Sequence, residues 1–219
     1  MNWENSKALT PLKRNFIRQF FAMERSFFLT GGSALGIFYL EHRRSYDLDF
    51  FTERDVDWHL LGNIVRDCSL AVSAQCETIT ASPLFYRFQL SRGPDRELLD
   101  FVVEHTPQVN PTKEDFGPVR VDTLHEIAVN KVCMLISRCE LKDVVDLYFL
   151  ANHGLDILAL FPDARKKEGG LDPAMISFLL AQLRIDSLPD YLIAPLDLDE
   201  FRAFVLNLRK RLAAMSLPE

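Results

Sequence analysis

The hydrophobic period of this chain changes once, and the change divides it. Apolar residues alternate with polar ones only before Pro107, whereas from Thr123 onward they recur at helical spacing. The Pro-spaced stretch from Pro107 through Pro111 to Gly117-Pro118 interrupts both patterns and marks the candidate boundary, giving expected domains of 1–118 and 119–219. The fold class this implies is α+β: a small mixed sheet with helices, followed by an all-α C-terminal half.

Within the first half, Leu9, Leu12, Phe16, Phe20 and Met23 line one face of a helix expected over Lys7–Arg25. The run from Phe27 to Thr30 reads as a strand that ends at Gly31-Gly32-Ser33, after which Ala34 to Glu41 reads as helix. A second strand is expected over Tyr46–Phe51 and a helix over Val56–Leu70. Two further strands, Leu84–Leu90 and Leu98–Val103, flank the turn chemistry of Ser91 to Asp95 and predict an antiparallel hairpin. Beyond Pro118 the spacing predicts helices near 123–137, 140–152, 156–165, 173–184 and 198–214, and no strand.

Composition excludes several classes. With 219 residues, 48% apolar and 26% charged, the chain can bury a core and is neither disordered nor fibrous. Its apolar runs fall short of the ~20 residues a bilayer needs, so neither a membrane span nor a secretion signal is expected. Four cysteines without a C-x-x-C pair read as small core residues of a reducing compartment, which points to the cytoplasm. A net charge of −6 excludes a nonspecific coat for nucleic acid. Arg202, Arg209, Lys210 and Arg211 form a local basic stripe that either meets RNA phosphates or is simply a solvated face.

Chemistry concentrates in a few places. Gly31-Gly32-Ser33 lies between strand and helix, where backbone N–H groups can hold a phosphate; alternatively it is a tight turn with Ser33 as an N-cap. In Asp47-Leu48-Asp49-Phe50-Phe51 both aspartates project from one strand face, ~6.6 Å apart along the chain, while Leu48 and Phe50 enter the core. Two carboxylates on one face suit a hard cation shared with substrate phosphates, or else form a solvated acidic face. Asp100 lies between Leu98 and Val102, where a carboxylate needs either a metal or a partner such as Arg87. Lys131 occupies a nearly all-apolar helix with Arg138 seven residues on, so it either meets an anion or snorkels to the helix edge. Asp143 and Asp146, three apart on the next helix, either orient Lys131 or Arg138 or form a structural ion pair.

Taken in order, Gly31-Gly32-Ser33-Ala34-Leu35, then Arg43-Arg44-Ser45-Tyr46-Asp47-Leu48-Asp49-Phe50-Phe51, then Asp100, Lys131 and Lys142-Asp143-Val144-Val145-Asp146, resemble the AbiEii/AbiGii-type toxin family of nucleotidyltransferases within the DNA polymerase β-like superfamily. The resemblance spans about Phe27 to Leu150. It implies transfer of a nucleoside monophosphate from an NTP to an acceptor, tRNA being one acceptor class in the family, and a polymerase β-like fold. It implies that Asp47 and Asp49, with Asp100 as third ligand, hold Mg²⁺ or Mn²⁺. Gly32, Ser33, Arg43 and Ser45 would serve the nucleotide, Lys131 would contact the triphosphate, and Asp143 and Asp146 of the helical half would complete the site. A cognate antitoxin is the implied partner. The alternative is a catalytically degenerate fold that binds NTP or RNA and regulates without chemistry.

Overall fold

A computed structural model describes residues 2–216, which divide into two compact units. The first takes in the chain up to Thr106 together with Thr112–Thr123, and the second takes in Pro107–Pro111 and the chain from Leu124 onward. The expected boundary after Pro118 falls inside a hairpin of the first unit.

Among the described residues, the first unit holds a seven-stranded mixed sheet. Its strands are β1 Phe28–Thr30, β2 Asp47–Thr52, β3 Gln75–Ser82, β4 Phe85–Arg92, β5 Asp95–Val103, β6 Lys113–Phe116 and β7 Val119–Asp122. They lie in the order β3-β4-β5-β2-β1-β7-β6. The pairs β2/β5 and β1/β7 are parallel and the rest antiparallel, including the expected β4–β5 hairpin. Strands β3, β6 and β7 have no counterpart in the sequence reading, and β7 corrects the expectation that no strand follows Pro118.

Helix α1, Pro11–Met23, begins four residues later than its apolar spacing suggests because Thr10 caps it, accepting the Lys13 N–H at 3.1 Å, and Pro11 occupies the first turn. The helix buries Leu12, Phe16, Ile17, Phe20 and Phe21, and the rings of Phe16, Phe20 and Phe21 meet Phe50 of β2. Phe50 and Phe101 stand opposite one another in the β2/β5 register and stack at 4.7 Å, and Phe20 lies 4.8 Å from Phe50. This aromatic core fixes one face of β2 and β5, and strand alternation then sends Asp47, Asp49 and Asp100 to the other. Helix α2 is an α-turn, Gly31–Ala34, that continues as a π-helical segment, Leu35–Leu40, and α3 spans Trp58–Ala71.

The second unit is helical among the described residues: α4 Leu124–Ser137, α5 Leu141–Asn152, α6 Phe161–Lys167, α7 Pro173–Gln182 and α8 Leu198–Met215. The helix expected at 156–165 is a 3₁₀ turn, Ile157–Leu160, leading into α6, since Pro162 fits only a first turn. Glu126, fully buried on α4, ties the Pro107–Pro111 segment to this unit by accepting the Asn110 N–H at 2.9 Å, and it also binds Lys167. Among the described residues, no single helix is long and apolar enough to cross a membrane.

Candidate active site

The β2/β5 register sets Asp49 directly opposite Asp100, and Asp47 precedes Asp49 on the same face. One carboxylate oxygen from each of Asp47, Asp49 and Asp100 lies within 4.8 Å of the others. Three like charges so close repel strongly unless cations balance them, and an all-oxygen set of this kind is the donor chemistry of a hard divalent ion. The residues therefore fit Mg²⁺ or Mn²⁺.

Some of that balance comes from the protein itself. Arg87 on β4 stands opposite Asp100 and donates from Nε to Oδ1 at 2.7 Å and from Nη2 to Oδ2 at 2.6 Å. The Asp100 hydrogen bonds, aided by the charges of Asp47 and Asp49, raise the Arg87 pKa above its ordinary value. Of the two alternatives raised for Asp100, the pairing with Arg87 is present, and one oxygen of Asp100 also lies in the carboxylate group.

The Gly-rich turn packs directly on this group. Gly31 has φ +66°, and a Cβ there would stand 2.6 Å from Asp49 Oδ2, so only glycine suits the position. Ser33 is buried, accepts the Asp49 N–H at 3.2 Å, and its Oγ also lies 3.2 Å from Asp49 Oδ2 and from the Thr30 carbonyl. It orients Asp49. Gly32 lets the buried Arg43 guanidinium approach, since a Cβ there would lie 2.3 Å from Nη2, and one turn on Gly36 admits the Arg43 carbonyl. Arg43 therefore braces the turn, with its own Nη1 donating to the Arg44 carbonyl at 3.0 Å. We expect Gly32→Ala to displace Arg43 and the turn and to cost transfer about tenfold or more, while circular dichroism shows the fold retained.

Ser45 donates to Asp47 Oδ1 at 2.9 Å. Its own carbonyl is held by Lys13 Nζ at 2.5 Å, and Lys13 forms a buried ion pair with Glu97 at 3.0 Å, whose other oxygen accepts from Thr10 at 2.5 Å. Thr10, Lys13 and Glu97 are thus supports of the Ser45 loop that sequence reasoning missed. Only register and tertiary packing bring α1 and β5 together here. Gly36 had a readable signal in its four-residue spacing from Gly32 on one helix face.

The second unit carries its own charged cluster. Lys131 of α4 is 4% exposed and binds Asp143 Oδ1 at 3.0 Å and Asp146 Oδ2 at 2.7 Å, both from α5. Arg138 clamps Asp143 through two hydrogen bonds of 2.8 Å. The two acids engage both cations. Burial would raise the Asp143 pKa, but Arg138 and Lys131 outweigh it and hold the carboxyl below the ordinary carboxylate range. A carboxylate so depressed adds stability that is full above the unfolded pKa, ~3.9, and is lost as pH falls through the folded value. The helical signal should therefore melt at lower temperature as pH drops below ~4. Arg138→Gln brings the folded value back toward ~3.9, so the variant should lose less stability between pH ~4 and its low-pH limit than wild type does. Lys142, by contrast, pairs with Glu140 at 2.8 Å on the surface.

Burial pushes the thiols of Cys68 and Cys133 up to about 11, which disqualifies them as nucleophiles. In the basic stripe of α8, Arg202 donates to the Ile185 carbonyl, Arg209 to the Ser177 carbonyl, and Arg211 to Asp156. Those three arginines make contacts inside the helical unit.

In fold, the chain is similar to a candidate nucleotidyltransferase from H. pylori, with a TM-score of 0.60 at 19% identity, covering 94% of this chain and 96% of that one. It is also similar to JHP933 from Helicobacter pylori, with a TM-score of 0.58 at 21% identity, covering 94% and 92%. No curated protein matches it in sequence. The model of the AbiEii nucleotidyl transferase toxins of type IV toxin–antitoxin systems matches residues 16–214, and with nearly the whole chain covered, the protein belongs to that family.

Proposed function

We propose that this chain is a divalent-metal-dependent nucleotidyltransferase that moves a nucleoside monophosphate from an NTP to an acceptor hydroxyl, and that it is the toxin partner of a cognate antitoxin. The observation that carries the reading is the convergence of Asp47, Asp49 and Asp100 on one sheet face, with the Gly31–Ser33 turn packed against Asp49. In the reaction, the acceptor oxygen bonds to the α-phosphorus as the α–β bridging bond breaks, and pyrophosphate leaves with that electron pair. The hydroxyl proton passes to a carboxylate, and in this reading Asp100 receives it. A bound divalent cation supplies stabilisation of the charge that develops on the phosphate oxygens.

Each protein group then has a task. Asp47 and Asp49 hold the cation, Ser33 and Ser45 fix their carboxylates, and the turn at Gly32, braced by Arg43, receives phosphates. The family resemblance adds Lys131 as a triphosphate contact, oriented by Asp143 and Asp146. Tasks of this kind require positioning and charge neutralisation and no activated nucleophile.

The test is transfer of label from each of four α-³²P NTPs, with Mg²⁺ or Mn²⁺, to total tRNA, total protein and small-molecule extract. The expected result is label in one fraction, tRNA being one acceptor class the family resemblance implies, that disappears in Asp49→Ala. One observation favours a second reading: both oxygens of Asp100 are engaged by Arg87, as in a site that binds without reacting. That reading predicts saturable NTP binding and no labelled product in any fraction.

A further inference from the structure

The sheet places a fixed positive charge beside the carboxylate trio. Arg87, Asp100, Asp49 and Thr30 stand opposite one another across β4, β5, β2 and β1, forming one row on one face. Arg87 grips Asp100 with two parallel hydrogen bonds, the strongest geometry a guanidinium offers a carboxylate. Its own side chain is 34% exposed while that of Asp100 is 9% exposed, so the grip is open to solvent on the arginine side only.

We infer that Arg87 is a positioning residue that holds Asp100 in place and restrains cation binding by the free protein. The argument rests on the metal-dependent reading above. Arg87 sets a fixed positive charge against the three carboxylates, and a cation entering the trio is repelled by it. An Asp100 released from Arg87 would be more negative in its surroundings but less fixed in orientation, and the two consequences separate experimentally.

The experiment is Mn²⁺ titration of the nucleotide-free protein followed by electron paramagnetic resonance, on wild type, Arg87→Met, Arg87→Lys and Asp49→Asn. Loss of binding in Asp49→Asn establishes that the titration reads the trio; equal binding there and in wild type would sink the metal reading itself. Given that control, Arg87→Met should bind Mn²⁺ about tenfold more tightly, the size expected for removing one charge a few ångströms from a divalent ion in largely aqueous surroundings. Arg87→Lys keeps the charge without the fork and should stay near wild type. In EDTA, Arg87→Met should melt at lower temperature than wild type, and Mn²⁺ should restore it. Unchanged or weaker Mn²⁺ binding in Arg87→Met overturns the inference, because a purely structural clamp would lose affinity when removed.

Discussion

Asp49→Asn should lower nucleotidyl transfer by about a thousandfold, the scale seen when one preorganised electrostatic contact to a developing charge is removed. Asparagine preserves the side-chain shape, and the Ser33 hydroxyl remains within 3.2 Å of the position that Oδ2 occupies. The Phe50 and Phe101 rings beneath are untouched, so the sheet stays intact. Removing one of three clustered negative charges also relieves repulsion, so the variant should melt no lower than wild type in EDTA. The two readouts move in opposite senses: activity collapses while metal-free stability holds or rises. Labelled-NTP transfer and thermal melting, measured on the same preparations, check this. Full transfer by Asp49→Asn would remove the carboxylates from the chemistry.

The reason these carboxylates were legible in the sequence is physical. Strand β2 alternates strictly, with Leu48 and Phe50 buried and Asp47 and Asp49 half-exposed, so parity alone assigns the aspartates to one face. The turn at Gly93-Pro94 sets the β4–β5 register, and from that register Arg87 follows as the partner of Asp100. Strand β3 could not be read because it is an edge strand exposed along almost its whole length, which leaves no apolar alternation to detect. Strands β6 and β7 are four residues each, and the proline and glycine around them resemble loop punctuation. Lys13 and Glu97 were unreadable for a different reason. They are 84 positions apart, and nothing local to either signals the other. The Lys131 cluster fell between these cases: i,i+3 spacing put Asp143 and Asp146 on one helix face, but only packing of α4 on α5 shows that both acids meet Lys131.

That cluster leads to the prediction with the largest effect on stability. Lys131→Met leaves Asp146 without its 2.7 Å cation and Asp143 with Arg138 alone, in an interior where both acids are fully buried. Breaking one partner from a buried pair costs about 3–5 kcal/mol, enough to unfold many domains of this size. Loss of activity in that variant would therefore say nothing about nucleotide binding. The double variant Lys131→Met with Asp146→Leu separates the two roles. It removes one charge of each sign and fills the space with apolar atoms, while Asp143 keeps its two 2.8 Å bonds from Arg138. Exchanging a buried ion pair for apolar side chains is often neutral or stabilising, so chemical denaturation should return to within about 1–2 kcal/mol of wild type. If Lys131 serves the triphosphate, the refolded double variant should still transfer label at least about a hundredfold more slowly, because a cation at the phosphates has been lost. Transfer restored along with stability would assign Lys131 to the architecture of the helical unit and leave the phosphates to the Gly31–Ser33 turn.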